Sequence, residues 1–117
     1  MRKNELPIER QWEYLLDKLA MLVGKRPADM NAVLFLIGLQ ELGQGTRTFN
    51  KEEKQDLMHI ATCKILSYAG IYELEGSDQD GWPHWKQVQP LPHLDLESQE
   101  ILLQTHAIEY FEEIQLF

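Results

Sequence analysis

Residues 32–39 read Ala-Val-Leu-Phe-Leu-Ile-Gly-Leu, a run without one polar side chain. A helix with no polar face has to be buried on nearly every side. The stretch therefore predicts a central helix over 28–42, with the other elements packed round it. The run is far shorter than the ~20 apolar residues that cross a bilayer, and Asp29, Asn31, Gln40 and Glu41 flank it. Gly38 inside the helix costs about 1 kcal/mol relative to alanine. A close crossing by another helix backbone is the simplest compensation.

The other helical segments are two-faced. Ile8, Trp12, Leu15, Leu16, Leu19 and Val23 recur at helical spacing, with Glu9, Arg10, Glu13 and Asp17 between them. They predict a helix over 7–23 with Pro7 in its first turn and Gly24 as its left-handed stop. Pro27 or Asp29 opens the second helix and Gly43 ends it. Asn50 and Glu53 form a variant capping box that starts the third helix at Lys51. That helix runs over 51–69 with Leu57, Met58, Ala61, Ile65, Tyr68 and Ala69 on its core face, and Gly70 stops it so that Ile71 packs back. The period then changes. Ile71 to Glu75 alternates as a strand does, Gly76 to Gly81 is dense in turn residues, and Trp85 to Val88 returns, giving a β-hairpin over 71–88. Pro90 and Pro92 keep the next segment extended. Asp95 caps a last helix over 95–115 that buries Leu103, Ala107, Tyr110, Phe111 and Ile114.

The predicted fold is mainly α: one compact four-helix domain over 1–117, with a small β-hairpin between helices three and four. A chain of 117 residues can bury such a core without metal or disulfide staples. Its single cysteine, Cys63, has no internal partner, which suits a reducing cytoplasm. Arg2-Lys3 is followed by no apolar run, so no signal peptide is expected, and no segment predicts a membrane anchor.

Charge adds an asymmetry. Residues 1–64 hold 10 Lys+Arg against 9 Asp+Glu, whereas residues 65–117 hold only Lys86 against 10 acids, a net of −9. Such a surface repels phosphate backbones and favours basic proteins or cations. A third helix followed by a hairpin is also the order of winged-helix DNA-binding domains. A wing that touches DNA is basic, whereas this hairpin carries Glu73, Glu75, Asp78 and Asp80 with one lysine. The winged-helix regulator is thus an alternative that the charge disfavours.

Candidate chemistry is sparse. His59 and Cys63 sit one helical turn apart and could supply two metal ligands, but no C-x-x-C or H-E-x-x-H completes a site. The plain reading is a second packing face with a buried thiol. Asp78-Gln79-Asp80-Gly81 resembles the middle of a calcium loop, yet with Gly81 at the sixth position the first and twelfth are Gly76 and Gln87, so a hairpin turn is the better reading. Gly43 to Phe49 lacks both phosphate-loop spacings and reads as an interhelix connection. Ser67, Ser77 and Ser98 have no nucleophile setting.

The distinctive tetrapeptide is Trp82-Pro83-His84-Trp85. Tryptophans of a two-stranded hairpin dock on helices or face a partner, and one hairpin can do both. The expectation is a non-enzymatic, cytoplasmic interaction module or homo-oligomer. Its binding surface comprises Tyr72, Trp82, His84 and Trp85, and it needs no cofactor, nucleic acid or membrane. The alternative is a small metal- or ligand-binding enzyme using His59, Cys63 and a hairpin histidine.

Overall fold

The computed structural model describes residues 5–45 and 47–117; the Arg2-Lys3 pair and Thr46 of the Gly43–Phe49 connection lie outside them. Among the described residues the elements are α1 (Ile8–Val23), α2 (Met30–Leu42), α3 (Lys51–Ser67), β1 (Tyr72–Ser77), β2 (Pro83–Gln87) and α4 (Leu96–Glu113). Four helices with an antiparallel hairpin between the third and fourth is the predicted fold class.

The chain clusters into two compact units, one running up to Met30 and resuming at Leu94, the other covering Asn31–His93. In the first, α1 packs on α4. Trp12, Leu15, Leu16 and Leu19 form the buried stripe of α1, while Val23 is exposed in its last turn. Gly24 ends α1 at a φ of 84°, with its N–H donating to the Ala20 carbonyl, a conformation that only glycine adopts without strain. Along α4, Ala107, Ile108, Tyr110 and Phe111 are buried. The predicted Leu103 is only partly covered and Ile114 caps the end, so the helix buries a shorter stretch than its apolar periodicity suggests. Asp95 caps it as expected, with the Ser98 N–H donating to Asp95 Oδ1 at 2.7 Å.

The second unit holds α2 from Asn31 onward; the helix begins at Met30 rather than at residue 28, since Pro27, itself buried, stays outside it. Val33, Leu34, Ile37, Gly38 and Leu42 are buried and Phe35, Leu36 and Leu39 partly so. The helix is thus covered round most of its circumference. Gly38 meets α3 directly. A Cβ built there would lie 2.7 Å from the Leu57 carbonyl carbon and 2.9 Å from its Cβ, and nearer still to the carbonyl oxygen. Here the helices touch backbone to backbone.

The start of α3 is the predicted capping box: Asn50 Oδ1 accepts from the Glu53 N–H at 2.8 Å while Glu53 Oε1 accepts from the Asn50 N–H at 3.0 Å. At the other end the Ile71 N–H donates back to Leu66, across Gly70 at a φ of 76°. The second packing face expected of α3 is present: Cys63 and Leu66, joined by Ile60, are buried beside Leu57, Ala61 and Ile65, whereas Ala69, expected on the core face, falls beyond the helix and is exposed. The second face is buried because β1 and β2 pack on α3 and cover a side that an isolated amphipathic helix would turn to water.

Candidate functional site

Hairpin register positions the site. Leu74 pairs with Trp85 and Tyr72 with Gln87, then a bulge at Glu75 sets Gly76 opposite His84 and Ser77 opposite Pro83. Partners directly across an antiparallel ladder project to the same face, so Tyr72, Leu74, Trp85 and Gln87 share one. Gly76 absorbs the bulge at a φ of 135°.

One carboxylate organises the turn. Asp78 Oδ1 accepts from the Asp80 N–H at 2.9 Å and the Trp82 N–H at 3.0 Å, while Oδ2 lies 2.9 Å from His84 Nε2. The Asp78 N–H in turn donates to the Trp82 carbonyl at 2.9 Å. The run that resembled a calcium loop is therefore a turn whose first acid is occupied by its own backbone. Its bond with His84, followed by that with the Trp82 N–H, holds the Asp78 carboxyl below its ordinary value of 3.8. A depressed carboxyl stabilises the fold above the unfolded-state value, and the contribution fades as pH falls through the folded one. Asp78→Ala is therefore expected to lower the urea midpoint at pH 7, with the gap to wild type closing as pH is taken below 3.8. A gap that stays constant down to the lowest pH would show that the carboxylate's charge is not involved.

The two tryptophans have separate roles. Trp82 packs against a buried cluster of Leu42, Phe49 and Leu57, together with Phe35 and Leu39. Its ring meets Phe49 edge-on at 6.4 Å. The Arg47 guanidinium lies 4.3 Å from the Phe49 ring centre and 5.9 Å from that of Trp82, and pairs with Glu53 at 3.2 Å. Gln44 Nε2 donates to the Asp80 carbonyl at 2.7 Å, so the α2–α3 connection is tied to the hairpin tip. Trp85 is only partly covered. Its indole N–H is nonetheless shielded and has no acceptor among the described residues.

Between α3 and the hairpin lies a cavity of about 300 Å³ lined by Asp56, His59, Ile60, Asp78, Trp82, Pro83, His84 and Trp85. Three of the four predicted surface residues line it. The fourth, Tyr72, borders His59 with ring centres 6.5 Å apart, edge to face, and burial raises its phenol above the ordinary value. The structure thus brings His59 to the hairpin site. Asp56 is the residue that sequence reasoning missed; its place three residues before His59 on α3 was the available signal.

Cys63 stands apart from the cavity lining. It is fully buried, its sulfur is 3.5 Å from His59 Nε2, and burial pushes its thiol up to about 11. At neutral pH it is therefore the protonated thiol, a weak nucleophile and a poor metal ligand. Among the described residues no three His, Cys, Asp or Glu side chains gather as a metal-holding group. None of the helices described is long and apolar enough to cross a membrane.

Compared with protein-family models, curated proteins and solved structures, the chain matches none of them.

Proposed function

We propose that this protein is a non-enzymatic interaction module that takes a protein partner, or a second copy of itself, in the groove between α3 and the hairpin. The observation that carries the reading is the lining of that groove, where two indoles, two histidines and two carboxylates surround one cavity of about 300 Å³. Aromatic side chains are enriched in interface cores, and polar groups form the rim round them. The alternative of a metal- or ligand-binding enzyme using His59, Cys63 and a hairpin histidine is less well supported, because Cys63 is buried apart from the cavity lining that holds His59 and His84. The winged-helix alternative is opposed by Glu73, Glu75, Asp78 and Asp80 on the hairpin, which repel phosphates. An unpaired buried thiol fits a reducing, cytoplasmic setting.

His84 is exposed at the groove rim, which makes it the position for a photo-crosslinking residue. In cells, a crosslinker at position 84 is expected to give discrete heavier adducts that Trp85→Ala diminishes. The same crosslinker at Lys18, exposed on α1, should give none of them. A heavier species of twice the chain's mass identifies self-association, and other masses a different partner. An adduct pattern at 84 indistinguishable from that at 18 would refute the interaction reading.

A further inference from the structure

Resting on the groove as an interaction site, we infer that its occupant is an arginine side chain presented by a partner peptide. Size is the first argument. A cavity of about 300 Å³ is at the small end for ligand sites and suits one long side chain rather than a helix. Charge is the second. Asp56 and Asp78 line the groove, and Glu73, Glu75 and Asp80 of the hairpin add to them against the single Lys86. A cation is attracted to this field and a phosphate or carboxylate is repelled.

The two acids are not equivalent. Both oxygens of Asp78 are engaged by the turn and by His84. Asp56 is exposed and makes no hydrogen bond or ion pair among the described residues, so its carboxylate is the open acceptor. A guanidinium forks onto a carboxylate through paired N–H groups and stacks flat on an indole, which a compact, strongly hydrated ammonium does less well. The protein already sets a guanidinium beside these rings: Arg47 of the α2–α3 connection lies 4.3 Å from the Phe49 ring centre and 5.9 Å from that of Trp82.

The test is a titration of the full chain with blocked Gly-Arg-Gly, Gly-Lys-Gly and Gly-citrulline-Gly, followed through the indole N–H resonances of Trp12, Trp82 and Trp85. The arginine peptide is expected to move the Trp85 resonance saturably, and citrulline, isosteric but neutral, to bind at least about tenfold more weakly. Asp56→Asn should weaken the arginine peptide about fivefold with unchanged circular dichroism. Glu100→Gln, exposed on α4, should leave it as it is. Equal binding of arginine and citrulline peptides, or no saturable shift up to about 10 mM, would overturn the inference. Crosslinked adducts at position 84 without arginine selectivity would remove this inference and leave the interaction reading standing. Loss of those adducts would remove the reading on which it rests.

Discussion

Gly38→Ala lowers stability by about 2–3 kcal/mol, although alanine is the better helix former by about 1 kcal/mol. The added methyl has no space to enter. Its carbon would fall 2.7 Å from the Leu57 carbonyl carbon and 2.9 Å from the Leu57 Cβ, whereas ordinary carbon contacts are about 3.5–4.0 Å. A side chain could rotate away from such a collision, but a carbonyl in the middle of α3 cannot. The helices must separate, and the loosened contacts run through Leu42, Phe49 and Leu57. Overpacking costs about 1–3 kcal/mol and sometimes more; a collision with backbone lies at the top of that range or just above it, about 3–4 kcal/mol before the helix propensity of alanine returns roughly 1 kcal/mol. The net loss should appear as a fall in melting temperature of about 8–12 °C and a lower denaturant midpoint. Adding Leu57→Ala should not rescue the variant, because the obstructing atoms include backbone. Gly24→Ala is the contrast: nothing lies within 4 Å of the new methyl, and only the left-handed φ of 84° opposes it, at about 1–2 kcal/mol. A Gly38→Ala protein as stable as wild type would mean that α2 and α3 do not meet at this point.

Trp82→Ala is expected to cost about 2–3 kcal/mol and Trp85→Ala about 1 kcal/mol, measured by denaturant unfolding. Truncating a fully buried tryptophan costs about 3–5 kcal/mol, and Trp82 is partly exposed, so its loss falls below that range. What disappears is its packing on Leu42, Phe49 and Leu57 and the edge contact with Phe49 at 6.4 Å, the latter about 0.5–1.5 kcal/mol by itself. Trp85 is not among the residues packed on that cluster, and Trp85→Ala deletes an indole N–H that has no acceptor among the described residues, which offsets part of the lost packing. The pair therefore separates folding from binding. Trp85→Ala should leave helix content intact and weaken partner capture, while Trp82→Ala compromises both because it detaches the hairpin from the helices. The reverse order of costs would assign the docking role to Trp85. A double substitution cannot distinguish the two roles.

Much of the local structure was legible in the residues. Asn50 with Glu53, Asp95 ahead of Ser98, and Gly24 after Val23 mark helix limits because a cap is a contact among near neighbours along the chain. The apolar run of α2 announced its burial for a similar reason: a helix with no polar face has no side to offer water. Even the crossing at Gly38 could be anticipated from the cost of a glycine inside a helix. The candidate site was legible only in part. The aromatic tetrapeptide was conspicuous, but periodicity could not say which indole docks on Phe49 and which lines the groove.

The tertiary structure alone decided the partnerships between distant segments. Asp56 and His59 on α3 face Asp78 and His84 across the cavity. Gln44 reaches Asp80, and Arg47 reaches Trp82. A second packing face on α3 was legible at Cys63, but that the hairpin is what packs on this helix was not. The physical distinction is range. Caps, stops and solvent-averse runs are set by the energies of a few consecutive residues, whereas a groove exists only where two elements meet, at a register that no single element encodes.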